Sequence, residues 1–242
     1  MNLHDLLEQL KRYPVFDLAT FENITQLGPK AASVRLFRMK ASGYIHGLSR
    51  DRYTVHNDPI IIASRVVWPS YISLSYAMNR HGLTTQSPHV IEVLTTRKVF
   101  RSRYEIGNMG IELIKVNPRF LFGYDRVRYG EHEIFLATPE KAVIDGLLLR
   151  RISASETTDI LSENIGRLDV DRMVEFTVRC RNSALAKRVG YLLDRLGHDR
   201  HKRLRKLTVP TVLPLDWTLP KKGTLDRKWM VLDNVKRPVE VV

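Results

Sequence analysis

The chain has a single cysteine, Cys180, which excludes an internal disulfide and any zinc site built on clustered thiolates. No run of apolar residues approaches the length of about eighteen that a membrane helix requires. The opening residues, MNLHDLLEQLKR, carry acids where a signal peptide would be basic and then apolar. Cytoplasmic residence without membrane contact is therefore the expectation. A glycine-rich phosphate loop is missing too, since Gly107–Gly110 reads as a hairpin turn. The 8 histidines include no pair spaced like a helical metal motif; His198 and His201 are close but sit among Arg and Lys, which would repel a cation. No Ser or Cys nucleophile motif occurs, and Cys180 falls on an apolar helix face. Glu131, Glu133, Glu140 and Lys141 offer the residue types of a metal-dependent nuclease. Glu140 and Lys141 read more simply as a helix's first turn, a carboxylate favoured by the dipole and a pair fixing helix to sheet. No catalytic residue, metal ligand or cofactor is expected, and the chain is read as a non-enzyme.

Acidic side chains are also in short supply. Against 39 Lys and Arg stand 26 Asp and Glu, giving a net charge of +13 and a pI near 10.0. Such an excess favours a polyanionic partner, most simply nucleic acid. It is unevenly spread: residues 1–58 hold 8 cations and 6 acids, residues 151–242 hold 19 and 12. The N-terminal part is thus not the most basic, and its cations matter by placement.

That placement centres on residues 28–55, GPKAASVRLFRMKASGYIHGLSRDRYTV. At helical spacing Ala32, Leu36, Met39 and Gly43 share one side. Gly28-Pro29 marks the start, because proline in the first turn loses only an amide the helix cannot use; Gly43 marks the stop. The outward side carries Lys30, Ala31, Val34, Arg38 and Ala41, flanked by Arg35 and Lys40, and no acid occurs between Lys30 and Arg50. Tyr44–Gly47 and Arg52–His56 read as two strands around a Leu48–Asp51 turn. Ahead of this stretch, Asn2–Tyr13 reads as a helix with Leu3, Leu6, Leu7 and Leu10 inward, ended by Pro14. A second short helix is capped by Asp17 and buries Leu18, Phe21 and Ile24. Three helices and a basic-tipped hairpin are the layout of a winged helix-turn-helix. Asp58-Pro59 closes it.

The fold class expected for the whole chain is α+β: this module over 1–58, then a mixed domain over 59–242 with a mainly antiparallel sheet and helices. Ile60–Val67 begins as helix and Tyr71–Arg80 is helical. Val90–Thr95, Val99–Arg103, Tyr104–Ile106, Ile111–Val116 and Ile134–Ala137 are strands. Thr138-Pro139-Glu140 opens a strong helix. Residues 151–206 are helical and basic, through Asp169–Cys180 and Ser183–Leu196. Their surface carries Arg179, Arg181, Lys187, Arg188, Arg195, Arg200, Lys202, Arg203, Arg205 and Lys206. The proline-rich remainder, Val209–Val242, reads as an extended packed tail.

Asp58-Pro59, Pro69-Ser70-Tyr71-Ile72-Ser73-Leu74-Ser75-Tyr76-Ala77 and His81-Gly82-Leu83 together resemble the AbiEi family of transcriptional regulators. These are antitoxins of abortive-infection, type IV toxin–antitoxin systems. Ala137-Thr138-Pro139-Glu140-Lys141-Ala142-Val143-Ile144-Asp145 is similar to that family's most recognisable helix start, and Leu215-Asp216-Trp217 and Lys228-Trp229 to its closing segment. The resemblance implies an N-terminal winged helix that binds inverted repeats in its own promoter. It also implies a larger C-terminal domain acting against a nucleotidyltransferase-like toxin. By position the DNA-reading helix is Pro29–Ser42 and the wing Tyr44–Val55. The usual wing ending, a basic pair followed by glycine and tyrosine, is replaced by Arg50-Asp51-Arg52-Tyr53.

The resulting expectation is a sequence-specific DNA-binding autorepressor and antitoxin whose partner is an inverted-repeat duplex operator. Lys30, Arg35 and Arg38 approach base edges while Lys40, Arg50 and Arg52 hold phosphates. Arg200, Lys202, Arg203 and Arg205 form a secondary basic patch. The alternatives are a protein-interaction module and a solitary regulator without a toxin.

Overall fold

The computed structural model of the chain describes residues 1–235. Helix α1 (Leu3–Lys11) is capped by Asn2, whose Oδ1 accepts the Asp5 amide at 2.8 Å. Helix α2 (Leu18–Thr25) is capped by Asp17, which accepts both the amide and the hydroxyl of Thr20 at 2.9 and 2.7 Å. Those two bonds lower the Asp17 pKa against the opposing effect of burial. Helix α3 (Pro29–Ala41) follows and buries Ala32, Leu36 and Met39. These pack with Leu6, Leu10, Phe16, Phe21 and Ile45 into one core.

The hairpin that follows is shifted from the expected one. Its strands are β1 (His46–Ser49) and β2 (Arg52–Thr54), with an irregular register between Gly47 and Ser49. Leu48, read as a turn residue, is buried, and its apolar side chain draws the strand two residues further. Phe16, between α1 and α2, bridges β2: its amide and carbonyl both bond Tyr53 at 2.9 Å, and the two rings stack at 6.0 Å.

Helix α4 (Pro59–Ala63) is capped by Asp58. Where a single helix over Tyr71–Arg80 is expected, there is a strand, β3 (Ser70–Ser73), and then helix α5 (Leu74–Arg80). All four residues of β3 are buried, so both its faces are covered and the period of a half-exposed strand is absent. The remaining strands of this sheet are β4 (Val90–Thr95), β5 (Arg103–Ile106), β6 (Met109–Lys115), β7 (Tyr124–Tyr129) and β8 (His132–Ala137). Their order is β5-β6-β4-β3-β8-β7. The sheet is mixed: β5 and β6 pair antiparallel, whereas β4 runs parallel to β6 and β3 parallel to β8. The β5–β6 hairpin sends its first strand to the outer edge and brings its second back alongside β4.

Helix α6 (Pro139–Leu149) starts at Thr138 as expected, the Thr138 hydroxyl accepting the Lys141 amide at 3.3 Å. Lys141 forms a buried ion pair with Asp145 on its own helix, and the Ser73 hydroxyl donates to the same carboxylate at 2.8 Å. Glu140 instead accepts the Asp169 amide at 3.2 Å. Helices α7 (Ala154–Asn164), α8 (Val170–Cys180), α9 (Ser183–Arg195) and α10 (His201–Leu204) follow. Beyond them lie β9 (Leu213–Pro214), β10 (Thr224–Asp226) and β11 (Val231–Asp233), a small sheet of order β10-β11-β9. The stretch expected to be an extended tail thus carries three short strands, the last ending at Asp233; residues 236–242 lie outside the described part. Trp229 is buried against α9, where Gly190 leaves the space: a Cβ there would collide with the indole.

The chain divides into two compact units. One comprises Met1–Ile72 and Pro88–Leu136; the other comprises Ser73–Ser87 and the chain from Ala137 onward. The first joins the three helices and hairpin to the strands that follow. No helix among the described residues is long and apolar enough to cross a membrane.

Candidate nucleic-acid interface

The outward surface of α3 carries Lys30, Ala31, Ser33, Val34, Phe37, Arg38, Lys40 and Ala41, all exposed. Their exposure follows from the opposite stripe, Ala32, Leu36 and Met39, which anchors the helix on α1 and α2. Thirteen residues at about 1.5 Å rise give a rod of roughly 20 Å. Among the described residues, the side chains of Lys30, Arg38, Arg50 and Arg52 form no hydrogen bond and no ion pair. Arg35 is half-buried and reaches back to the Met1 carbonyl at 3.5 Å, which draws it off the exposed stripe.

The hairpin brings the remaining cations close. Lys40 lies along β1, its Nζ 3.0 Å from where a Cβ of Gly47 would stand, so glycine there leaves its path open. Glu105 shares with Lys40 the lining of a cavity of about 400 Å³ but makes no ion pair with it. Arg50 and Arg52 flank the exposed Asp51 at the tip, where β1 and β2 turn. Arg52 also acts at longer range on Asp17, adding to the lowering of that carboxyl.

Phe37 escaped the sequence reading. It is 73% exposed, three residues from Val34 and four from Ala41, so helical spacing alone puts it on the outward stripe. With Val34, 46% exposed, it adds an apolar spot to the cationic face.

The secondary basic patch is different in kind. Lys187 and Arg188, expected at the surface, are buried: Lys187 donates to the Thr211 carbonyl, and Arg188 donates to the carbonyls of Leu215 at 2.8 Å and Pro214 at 3.0 Å. The Arg188 guanidinium also lies 4.9 Å from the Trp217 ring centroid. Burial pushes its pKa down to about 10, with Arg150 adding to the fall and Asp216 opposing it. Arg200 and Arg203 share the Asp171 carboxylate, each at 3.2 Å, while Lys202 and Arg205 are exposed. Arg195 pairs with Asp233 at 3.2 Å. Among the described residues no group of three His, Cys, Asp or Glu is gathered so as to hold a metal ion. Glu133, for its part, pairs with Arg126 at 3.2 Å.

Fold and surface together define a mixed α+β protein with an uncompensated cationic helix face in its first unit. No family model and no curated protein sequence matches the chain. Among solved structures it is similar to the crystal structure of the RV2827C protein from Mycobacterium tuberculosis. The TM-score is 0.60 and the identity 13%, with 95% of this chain and 90% of that one covered. At that identity the likeness is one of fold.

Proposed function

We propose that the chain is a sequence-specific DNA-binding regulator whose residues 1–58 act as a winged helix-turn-helix. Helix α3 lies in the major groove, with Lys30 and Arg38 at base edges and Arg35 at the flank. The β1–β2 hairpin is the wing, and Lys40, Arg50 and Arg52 hold phosphates. The observation that carries this reading is the outward face of α3. Its Lys30 and Arg38 have no acceptor among the described residues, on a rod whose width and length suit a groove. The operator is an inverted repeat in the chain's own promoter, read as an autorepressor. The resemblance to AbiEi regulators adds an antitoxin role toward a nucleotidyltransferase-like toxin, carried by the remainder of the chain. Cytoplasmic residence fits both roles.

Arg38→Ala tests the reading. Titration of promoter and random duplexes at one salt concentration is expected to show a loss of about 1–3 kcal/mol of discrimination. Equal losses on both duplexes would reduce Arg38 to a phosphate contact. Wild-type protein with no preference for its promoter would remove the regulator reading itself.

Phe37 favours a second reading, in which the same helix face docks a protein. Capture of the neighbouring gene's product by wild type but not by Phe37→Ala, with DNA binding unaffected, would select it.

A further inference from the structure

The hairpin tip does not stand alone. Beside it, in the same unit, runs the segment between β4 and β5, Arg97-Lys98-Val99-Phe100-Arg101-Ser102. Between tip and segment opens a cleft of about 570 Å³, lined by Arg50, Arg52, Lys98 and Arg101 and floored by apolar side chains such as Val66 and Leu113. No acid lines it. Arg101 is fastened in place: its Nη1 donates to the Leu48 carbonyl of β1 at 3.1 Å, its Nε to the Arg103 carbonyl at 2.9 Å, and it covers the Tyr104 ring at 4.7 Å. Arg97 donates to the Trp68 carbonyl at 3.2 Å. Phe100, in contrast, is 96% exposed, and among the described residues its ring contact is with Lys98, whose Nζ lies 5.5 Å from the centroid.

We propose that this segment is a second DNA-contacting element, so that the interface extends past residue 58. Lys98 and Arg101 take phosphates adjoining those of Arg50 and Arg52, and Phe100 enters the neighbouring minor groove as an apolar wedge. Three observations converge on duplex DNA. Cations on two separate elements face one cleft without an acid between them, which matches a run of phosphates. Arg101 is tied to the hairpin, so segment and tip meet one backbone together. Phe100 is a 96% exposed ring among cations, the composition of minor-groove wedges. The proposal rests on the DNA-binding reading above.

The test is fluorescence anisotropy of the full chain with promoter and random duplexes across a salt series. Lys98→Ala removes an exposed side chain that makes no hydrogen bond or ion pair among the described residues. It is expected to leave folding intact and to make the log–log salt slope shallower by about 0.9; with Arg101→Ala added, the change is about 1.8. Phe100→Ala is expected to weaken promoter binding on the order of tenfold with the slope unchanged. Unchanged slope in Lys98→Ala together with unchanged affinity in Phe100→Ala would overturn the proposal. If Arg38→Ala still loses its promoter preference in that case, the regulator reading stands and only the second element is lost. A wild-type chain that binds no duplex would remove both, and preference of Phe100 for single-stranded over duplex DNA would overturn the wedge.

Discussion

Arg38 and Arg188 are both helical arginines in a chain of net charge +13, and they do opposite things. Arg38 projects from α3 with no acceptor among the described residues; Arg188 on α9 is buried, closed in by two carbonyls and an indole face, whereas Arg101, which also bonds two carbonyls, stays exposed. The contrast extends to their neighbours. Around α3 and the hairpin Lys30, Arg38, Lys40, Arg50 and Arg52 are exposed and form no ion pair among the described residues, Arg35 being the half-buried exception. Around α8–α10 Lys202 and Arg205 stay exposed, but several are committed elsewhere: Lys187 and Arg188 are buried, and Arg200 and Arg203 share a carboxylate. Lys228 likewise bridges Asp194 at 2.6 Å and Asp199 at 3.1 Å. The charge total of the more basic part therefore overstates the cations it offers a polyanion. Counterion release depends on cations free to neutralise phosphate, not on the total.

The largest effect that can break this contrast is on stability. Arg188→Ala leaves the Leu215 and Pro214 carbonyls without their donor, and each buried unsatisfied group costs about 1–3 kcal/mol. Urea unfolding is expected to register about 2–5 kcal/mol of destabilisation. The DNA salt slope should stay as in wild type. A normal unfolding midpoint with a shallower slope would make Arg188 a ligand-binding residue and dissolve the distinction.

A smaller effect is expected from replacing Arg200, Lys202, Arg203 and Arg205 together by Gln. Because Asp171 already occupies two of them, no more than two phosphates should be lost, a slope change of about 1.8 at most. An unchanged slope excludes DNA contact there; a change near 3.6, four phosphates' worth, would invert the comparison.

The smallest concerns the seam that holds the hairpin exit to β8. His56 meets His132 edge-on at 4.8 Å, and its Nε2 is 3.0 Å from the Lys11 carbonyl. Burial, then the neighbouring His132, depress the His56 pKa, while the backbone of Lys11 and Tyr13 and the Asp58 charge oppose them. A depressed imidazole stays neutral in the fold, so the unfolded chain takes up its proton first. Stability is whole above the ordinary His value of about 6.5 and falls as the pH drops below it. Thermal midpoints between pH 7 and 5 should decline less in His56→Gln than in wild type. Parallel declines would show that other groups set the acid response.

Much of the fold could be read locally because its signals are local. Asn2, Asp17, Thr138, Asp169 and Asn182 cap helices through side-chain bonds, and the stripe of α3 is visible in spacing alone. What could not be read depends on partners far along the chain. Strand β3 hides because Ser70–Ser73 is covered on both faces and runs straight into α5. Strand β7, YDRVRY, hides because a strand at the sheet's end keeps charges exposed. The parallel pairings of β4 with β6 and β3 with β8 leave no mark in either strand's own sequence. At the candidate interface the cations of α3 and the tip were legible from charge and periodicity. The burial of Lys187 and Arg188 was not, since it depends on carbonyls from residues 211–215. Val99–Arg103 reads as strand in the sequence, but the strand starts only at Arg103, and the meeting of residues 97–102 with the hairpin is decided by Arg101 reaching Leu48.

Because Phe16 and Tyr53 exchange both their backbone hydrogen bonds, β2 is fastened to the linker between α1 and α2. The tip is thereby held to the helical base through β2. The direction in which Arg50 and Arg52 stand out is accordingly set by the linker between α1 and α2 as well as by the hairpin's own turn.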